Sequence, residues 1–239
     1  MKVKISHIFW DSGDPMRIKN ILFNSKHALN LKKYLENFYE TEYFLYDFSQ
    51  SKLTDEDYVK HIPKPELYYH KSWKINKIIE DSKDYNIFIS LDCDVFLNEN
   101  DYPKIKEYIE EVINKEIFYV SNLNDLISTN GIKFHDGSVD YNNLNYIHRY
   151  VNSLGPFYII KISDLYKVGG FNESFTVWGG EDDEMALALE KIGLIRKTME
   201  VKPFHLPHGR NHMINIVNNE EYKKQCELFN KIENRKKFI

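Results

Sequence analysis

Residues 85–91 read YNIFISL, a nearly continuous apolar stretch with the length of one β-strand. A strand of this kind is typical of the middle of a sheet, where both faces are buried. Strand-like and helix-like segments alternate along the first half of the chain around it. This alternation predicts an α/β fold in which helices cover both faces of a parallel sheet.

The other elements are predicted from apolar periodicity and from helix start signals. Asp14 followed by Pro15 is a favourable helix start, because aspartate caps a helix and proline suits its first turn. We expect strands at residues 3–10, 42–48, 117–120, 157–162 and 194–201, and helices at 14–38, 69–82, 102–114, 181–192 and 218–233. Residues 122–153 are polar, and we expect them to be irregular and the most mobile part of the chain.

The composition excludes several classes of function. The chain has 239 residues and a net charge of −4, with its basic residues dispersed, so it lacks the basic stripe of a nucleic-acid binder. Its two cysteines do not suit a disulfide framework, and no segment resembles a signal peptide or a membrane span. We therefore expect a cytoplasmic protein, with at most peripheral contact to the inner membrane face through its basic end.

Two aspartates follow the central strand directly. Asp92 and Asp94 are two residues apart, so in an extended chain they project to the same side while Cys93 turns to the core. Ligands of such sheets bind beyond the carboxyl ends of the strands, and Mg²⁺ and Mn²⁺ favour oxygen ligands there. The triplet indicates a cation site. The alternative is that one aspartate caps the following turn and the other is solvated.

A second group of acids follows a Trp-Gly-Gly sequence at residues 178–180. The two glycines allow backbone geometry closed to other residues and let a ligand approach the main chain. Residues 181–184, EDDE, then form the first turn of a helix, whose N-terminus favours carboxylates. Ordinary capping needs only one or two acids, so we expect an aspartate here to act as a general base towards a sugar hydroxyl. A neighbouring carboxylate would hold the acceptor, and Trp178 would pack against a pyranose ring.

His205 and His208 form an H-x-x-H pair after the last predicted strand. Neutral imidazole binds Mn²⁺ and similar ions, and together with aspartate it makes a mixed oxygen and nitrogen ligand set. A histidine by itself is more often structural, and this spacing alone is a weak pattern.

The order D-x-D, WGGEDDE and H-x-R resembles that of one family. It is similar to the GT-A glycosyltransferases of the β-1,4-galactosyltransferase and chondroitin-polymerase group, and more distantly to the polypeptide N-acetylgalactosaminyltransferases. Residues 155–193 carry the resemblance. It implies the GT-A nucleotide-sugar-binding fold, which is Rossmann-like with a mostly parallel central sheet flanked by helices. One domain would span residues 1–239, with a nucleotide-sugar half (1–120), an acceptor and metal half (121–215) and a C-terminal helix (216–239).

The resemblance also implies a role for each matching residue. Asp182 corresponds to the catalytic base of the inverting galactosyltransferases. The positions matching acceptor contacts are Trp178, Gly180, Glu181 and Asp183. The positions matching donor contacts are Asp92, Asp94, Trp178 and Gly179. The positions matching metal ligands are Asp94 and His208, with Asp92 and His205 as alternatives.

The implied activity is metal-dependent transfer of a hexose or N-acetylhexosamine from a UDP-sugar to a glycan hydroxyl, with Mn²⁺ or Mg²⁺ as cofactor. Retaining relatives usually carry Asn in place of Asp182, so the resemblance favours inversion. Synthesis of a surface polysaccharide or glycoconjugate would be the context. The chain departs from the family at Gly155-Pro156 and at residues 9–12, where the usual nucleotide-binding segment is missing. The alternatives are a metal-dependent sugar nucleotidyltransferase or hydrolase, and a non-catalytic glycan-binding or nucleotide-sugar-binding domain.

Overall fold

A computed structural model describes residues 1–10, 14–63, 70–151, 153–176 and 179–209, together with Lys224 and Glu227. Its α-helices are α1 (Pro15–Leu35), α2 (Lys71–Glu80), α3 (Tyr102–Asn114), α4 (Ile162–Lys167) and α5 (Glu181–Lys191). Its strands are β1 (Lys2–Phe9), β2 (Glu40–Asp47), β3 (Val59–His61), β4 (Ile87–Asp92), β5 (Val95–Phe96), β6 (Ile117–Val120), β7 (Leu123–Leu126), β8 (Ile132–Lys133), β9 (Ser138–Val139), β10 (Tyr146–Arg149), β11 (Phe157–Lys161), β12 (Ile195–Thr198) and β13 (Phe204–His205).

The large sheet has seven strands in the order β12-β6-β11-β4-β1-β2-β3. Neighbouring strands are parallel except where β11 pairs with β4 and with β6. The strand β4 lies in the middle of this order, as its apolar sequence predicts. The expectation of an α/β fold with a mostly parallel sheet is confirmed.

Helices cover both faces of the large sheet. The side chains of β4 alternate between the two cores: Ile89 packs with α1 and α3, and Phe88 packs with α2, α4 and α5. Both side chains are fully buried, and each contributes about 1.5–3 kcal/mol to stability relative to exposure. A strand buried on both faces explains why apolar residues run almost without interruption through this segment.

A smaller sheet lies beyond the carboxyl end of β4 and has the order β10-β7-β13-β5. Its short strand β13 lies between two partners, so that His205 is opposite Val95 on one side and Asp125 on the other. The β5 strand follows Asp92 and Asp94 after one turn. The small sheet thereby brings the histidine segment back to the aspartates.

The predicted elements of the first 120 residues are confirmed, with small differences at their ends. The largest is in α1, which ends at Leu35 rather than at residue 38. The start of α1 is as expected, because the Asp14 side chain accepts a hydrogen bond from the Met16 N–H. The strand expected at residues 194–201 is shorter, and β12 covers only Ile195–Thr198.

The expectation that residues 122–153 are irregular is wrong. This segment contains β7, β8, β9 and β10. These strands have two to four residues, and β7 pairs with β13, far away in the sequence, so local periodicity carries little signal for them. The predicted terminal helix at 218–233 lies outside the described residues, apart from Lys224 and Glu227, which are helical.

Among the described residues, no helix has both the length and the apolar character required to cross a bilayer.

Candidate active site

Asp94 and the two histidines converge beyond the end of β4. The Asp94 Oδ1 atom lies 3.4 Å from His205 Nε2, and its Oδ2 atom lies 3.0 Å from His208 Nε2. One ligand atom from each of the three residues lies within 4.8 Å of the others. One carboxylate oxygen and two imidazole nitrogens at this spacing can hold a divalent ion.

The electrostatics of these three residues favour a positive charge between them. Burial by itself would raise the pKa of Asp94, but the charge of His205 and hydrogen bonds from both histidines lower it well below its ordinary value. Burial by itself would lower the pKa of His205, but the carboxylates of Asp94 and Asp125 raise it to about 9. Asp94 is therefore ionised at neutral pH, and its carboxylate supplies the negative charge that a bound cation requires.

The histidine segment is anchored by backbone contacts on both sides. The Leu206 N–H donates to the Asp94 carbonyl at 2.8 Å. The Gly209 N–H donates to Asp14 Oδ2 at 2.7 Å, so the carboxylate that caps α1 also holds the end of this segment. These contacts restrict where His205 and His208 can lie.

Asp182 forms a second acidic centre with Lys71. The Lys71 ammonium lies 2.9 Å from Asp182 Oδ2 and 3.6 Å from Asp92 Oδ1. Burial raises the pKa of Asp182 to about 8; the Lys71 charge opposes this rise, while Glu181 and Asp92 add to it. Burial also raises the pKa of Asp92, and Lys71 again opposes the rise. A carboxyl group with a pKa near neutrality is suited to proton exchange.

The start of α5 fixes the position of Asp182. Gly179 and Gly180 have φ angles of 114° and 89°, a region that favours glycine. Glu181 is buried and folds back over this turn, where its Oε2 atom accepts a hydrogen bond from the Gly179 N–H at 2.8 Å. Asp182 consequently lies in the first turn of the helix and points to Lys71, while Asp183 is exposed.

The helix α2 carries Lys71 and is tied to the loop that precedes α5. The His70 N–H donates to the Thr176 carbonyl at 3.3 Å. The Asn76 side chain donates to the Phe171 carbonyl at 2.8 Å and accepts from the Phe171 N–H at the same distance. These contacts hold α2, which carries Lys71, against the loop that leads to Asp182.

The segment that directly precedes β11 passes beside Asp182. A Cβ atom at Gly155 would lie 3.5 Å from Asp182 Oδ2, so the backbone passes close to the carboxylate. The Pro156 carbonyl accepts a hydrogen bond from the Asp92 N–H at 2.9 Å. Asp182 Oδ1 is buried and has no hydrogen-bond partner within the described part of the chain.

The structure separates the two aspartates that the sequence analysis placed together. Cys93 is buried as expected, but Asp94 lies in a turn and faces the histidines, whereas Asp92 faces Lys71. The cluster of possible metal ligands contains His205 as well as His208 and does not contain Asp92. Trp178, Arg210 and Cys226 lie outside the described residues, and so do residues 11–12.

Sequence analysis missed three charged residues of the site: Lys71, Asp125 and Arg149. Lys71 is one of many lysines, and no motif distinguishes it. Asp125 and Arg149 lie in the segment that was expected to be irregular. Alternation of apolar and polar residues within β7 or β10 is the local signal that could have predicted these strands. Strands of four residues are too short for that signal to be specific.

Comparison with known proteins agrees with the geometry. Residues 136–209, which include Asp182, His205 and His208, match the family described as the N-terminal domain of galactosyltransferase. A structure of GalNAc-T7 with UDP, GalNAc and Mn²⁺ is similar over 100% of this chain and 55% of that chain, with a TM-score of 0.58 and 13% identity. The chain has the GT-A fold, and its residues 136–209 resemble the galactosyltransferase family. The predicted fold and the suspected family resemblance are confirmed.

Two further proteins are similar to this chain. A variant of Drosophila β1,4-galactosyltransferase 7, in complex with manganese, UDP-Gal and xylobiose, is similar over 100% of this chain and 82% of that chain, with a TM-score of 0.54 and 15% identity. Validoxylamine A glucosyltransferase of Streptomyces hygroscopicus subsp. jinggangensis (strain 5008) is 40% identical over 55 residues, 23% of this chain. The match spans only 13% of the length of that relative.

Proposed function

We propose that this chain is a metal-dependent, inverting glycosyltransferase that moves a hexose or N-acetylhexosamine from a UDP-sugar to a glycan hydroxyl. The observation that carries the proposal is the presence of two different acidic centres at one end of the sheet. Asp94 lies between two histidines, and Asp182 lies against Lys71. Metal-dependent, inverting transfer uses a cation to stabilise the diphosphate leaving group and a base to accept the proton of the acceptor hydroxyl.

Asp94, His205 and His208 would hold the ion. Two imidazole nitrogens in the ligand set favour Mn²⁺ over Mg²⁺, which prefers oxygen ligands and keeps several waters. When bound, such an ion supplies Lewis-acid stabilisation to the diphosphate leaving group. Two structures of similar fold support this choice, because the GalNAc-T7 structure contains Mn²⁺ and the β1,4-galactosyltransferase 7 variant is in complex with manganese.

Asp182 would act as the general base. Its Oδ2 atom accepts a hydrogen bond from Lys71, and its Oδ1 atom is buried without a partner among the described residues, so the carboxylate has the capacity to accept the proton of the acceptor hydroxyl. The hydroxyl oxygen forms a bond to the anomeric carbon as the bond from that carbon to the diphosphate oxygen breaks. The electron pair of the broken bond leaves with UDP. Attack from the face opposite the leaving group inverts the anomeric configuration.

The remaining predicted contacts divide between donor and acceptor. Asp183 is exposed, and with Gly180 and Trp178 it would contact the acceptor, as the family resemblance implies. Glu181 would act by holding the Gly179 backbone in place. Residues 1–120 would provide the nucleotide-sugar half and residues 121–215 the acceptor and metal half. A glycan of a surface polysaccharide or glycoconjugate would serve as acceptor.

A screen of donors with and without metal tests this function. The protein would be melted in the presence of UDP-Gal, UDP-GalNAc, UDP-GlcNAc, UDP-glucuronate and UDP-glucose, each with Mn²⁺, with Mg²⁺ and with neither. UDP-glucose is included because one relative is named a glucosyltransferase. We expect one donor to raise the melting temperature of the protein. We also expect the protein to hydrolyse that donor slowly to UDP, and both effects should require the ion.

Other outcomes of the screen would identify the rival functions. Release of UMP and sugar 1-phosphate would indicate a hydrolase, and formation of UTP and sugar 1-phosphate only when pyrophosphate is added would indicate a nucleotidyltransferase. Stabilisation by a donor with no product under any condition would indicate a binding domain. No response to any donor, with or without metal, would overturn the proposal.

A further inference from the structure

The imidazole of His205 is held on the side that faces away from Asp94. Its Nδ1 atom lies 3.1 Å from Asp125 Oδ1. Asp125 in turn accepts one hydrogen bond from Arg149, at 3.0 Å from Nη2 to Oδ1, and the Arg149 Nε atom lies 2.8 Å from Asp125 Oδ2 as part of the same ion pair. Four side chains therefore form one continuous row, which ends at Asp94.

The small sheet builds this row from adjacent strands. His205 of β13 is directly opposite Asp125 of β7. Asp125 is opposite Ile147 of β10, and Arg149 is two residues beyond Ile147, so it lies on the same face of the sheet. The order of the row is set by strand register, and only a shift in register or a substitution would break it.

An acceptor at Nδ1 decides which atom of the ring is free to bind a metal. When Nδ1–H donates to a carboxylate, the lone pair of the neutral ring is on Nε2. In this structure Nε2 is the atom that faces Asp94. Such a partner fixes both the tautomer and the ring orientation of the ligand.

The two histidines are supported in different ways. The nearest partner of His208 Nδ1 is the backbone carbonyl of Gly209, at 2.9 Å. The partner of His205 Nδ1 is the side chain of Asp125. A substitution at Asp125 can therefore alter one histidine and leave the support of the other intact.

We propose that Asp125, held by Arg149, is a positioning residue of the metal centre that orients His205 so that Nε2 faces the ion. The inference rests on the proposed function, because it assumes that Asp94, His205 and His208 hold that ion. It goes beyond the proposed function by assigning a role to two residues that touch neither the ion nor a substrate.

The test is the affinity of the whole chain for Mn²⁺ alone, measured by the EPR signal of the free ion during titration. The variants are Asp125→Asn, which keeps an oxygen that can accept the Nδ1 hydrogen, and Asp125→Ala, which removes it. The matched controls are Asp136→Asn and Asp136→Ala, because Asp136 is an exposed turn residue outside the site whose side chain also accepts a hydrogen bond. The melting temperature without metal is measured for each variant.

We expect Asp125→Ala to weaken Mn²⁺ binding by roughly 10- to 100-fold, which is the usual effect of losing a partner behind a metal-bound histidine. Asp125→Asn should weaken it less, and the Asp136 variants should bind as the wild type does. The melting temperature without metal should change little, because an Asp–Arg pair that is only half-buried contributes little to stability. In a His205→Ala background, the change at Asp125 should have no further effect on affinity.

The outcomes separate the inference from the function on which it rests. Wild-type protein that binds no Mn²⁺ would contradict the proposed metal-dependent activity itself. Wild-type binding together with unchanged affinity in Asp125→Ala would overturn only the inference. A loss of affinity that persists in the His205→Ala background would also overturn it, because Asp125 would then act through another group. If Asp125→Ala does not fold, the near-isosteric Asp125→Asn decides by the same criteria.

Discussion

Asp94 and Asp182 are both aspartates at the same end of the sheet, yet their surroundings shift their pKa values in opposite directions. The pKa of Asp94 is well below its ordinary value, and the pKa of Asp182 is raised to about 8. Burial raises the pKa in both cases. The difference comes from the neighbouring charges. Asp94 contacts two imidazoles, which lower its pKa. The Lys71 ammonium lowers the pKa of Asp182, but Glu181 and Asp92 raise it.

This contrast shows how one residue type serves two chemical tasks. A carboxylate that stays ionised is suited to holding a cation, and a carboxyl group that titrates near neutrality is suited to taking a proton. Lys71 keeps the second centre within reach of neutral pH, since burial without a cation would raise the pKa of Asp182 further. We therefore expect metal binding and proton transfer to be separable by mutation.

The largest effect is expected from Asp94→Asn. The substitution removes the charged ligand shared by both histidines, so Mn²⁺ binding and sugar transfer should both fall below detection. Metal titration and transfer assays on the same preparation measure the two losses. Asn in place of Asp92, which is not in the ligand cluster, is the matched variant and should retain metal binding. Retention of Mn²⁺ affinity in Asp94→Asn would contradict the assignment of metal binding to Asp94.

Asp182→Asn should have the next largest effect. Loss of a general base typically slows a reaction by about 100- to 10,000-fold. Mn²⁺ affinity should stay as in the wild type, since Asp182 is not among the clustered ligand atoms. Transfer rates close to wild type, with intact metal binding, would show that another group accepts the proton.

Substitution of either histidine should weaken Mn²⁺ binding less than substitution of Asp94 does. His205→Ala and His208→Ala should each weaken Mn²⁺ binding by at least about 10-fold, because even partners behind the ligands are worth that much. His148→Ala is the control, since His148 bonds Asn124 on the other face of the small sheet. If one of the two substitutions leaves the affinity unchanged, that histidine is not a ligand, and the choice between His205 and His208 is made.

The smallest expected effect concerns pH. A base must be deprotonated to act, so kcat/KM should rise with pH up to about 8 and level off above it, following the pKa of Asp182. Lys71→Met removes the charge that favours the carboxylate, and the rise should move to higher pH. Lys71→Arg keeps the charge and should move it less. The measurement is kcat/KM between pH 6 and 9.5, and identical profiles for wild type and Lys71→Met would contradict the role of this pair.

The site was predictable from sequence where its residues lie in a continuous segment. Asp92 and Asp94 were found because a strand buried on both faces leads into them, and the acids at the start of α5 because two glycines precede them. Local patterns express the burial of a strand or the start of a helix, and both depend on neighbouring residues.

The partners of those residues were not predictable in the same way. Lys71 and Asp182 are 111 positions apart, and their contact depends on how α2 docks against the loop before α5. Asp125 meets His205 only because β7 and β13 pair in one register. Both pairs form only when the chain folds, and no local sequence pattern indicates which distant residue will be the partner.

The sequence by itself determined the central strand, the alternation that makes the sheet parallel, and the acidic and histidine motifs at its edge. The tertiary structure decided which residues share a site: Asp94 with both histidines, and Asp92 with Lys71 and Asp182. It also decided their charge states, since a pKa depends on the burial and the neighbouring charges that only the folded chain creates.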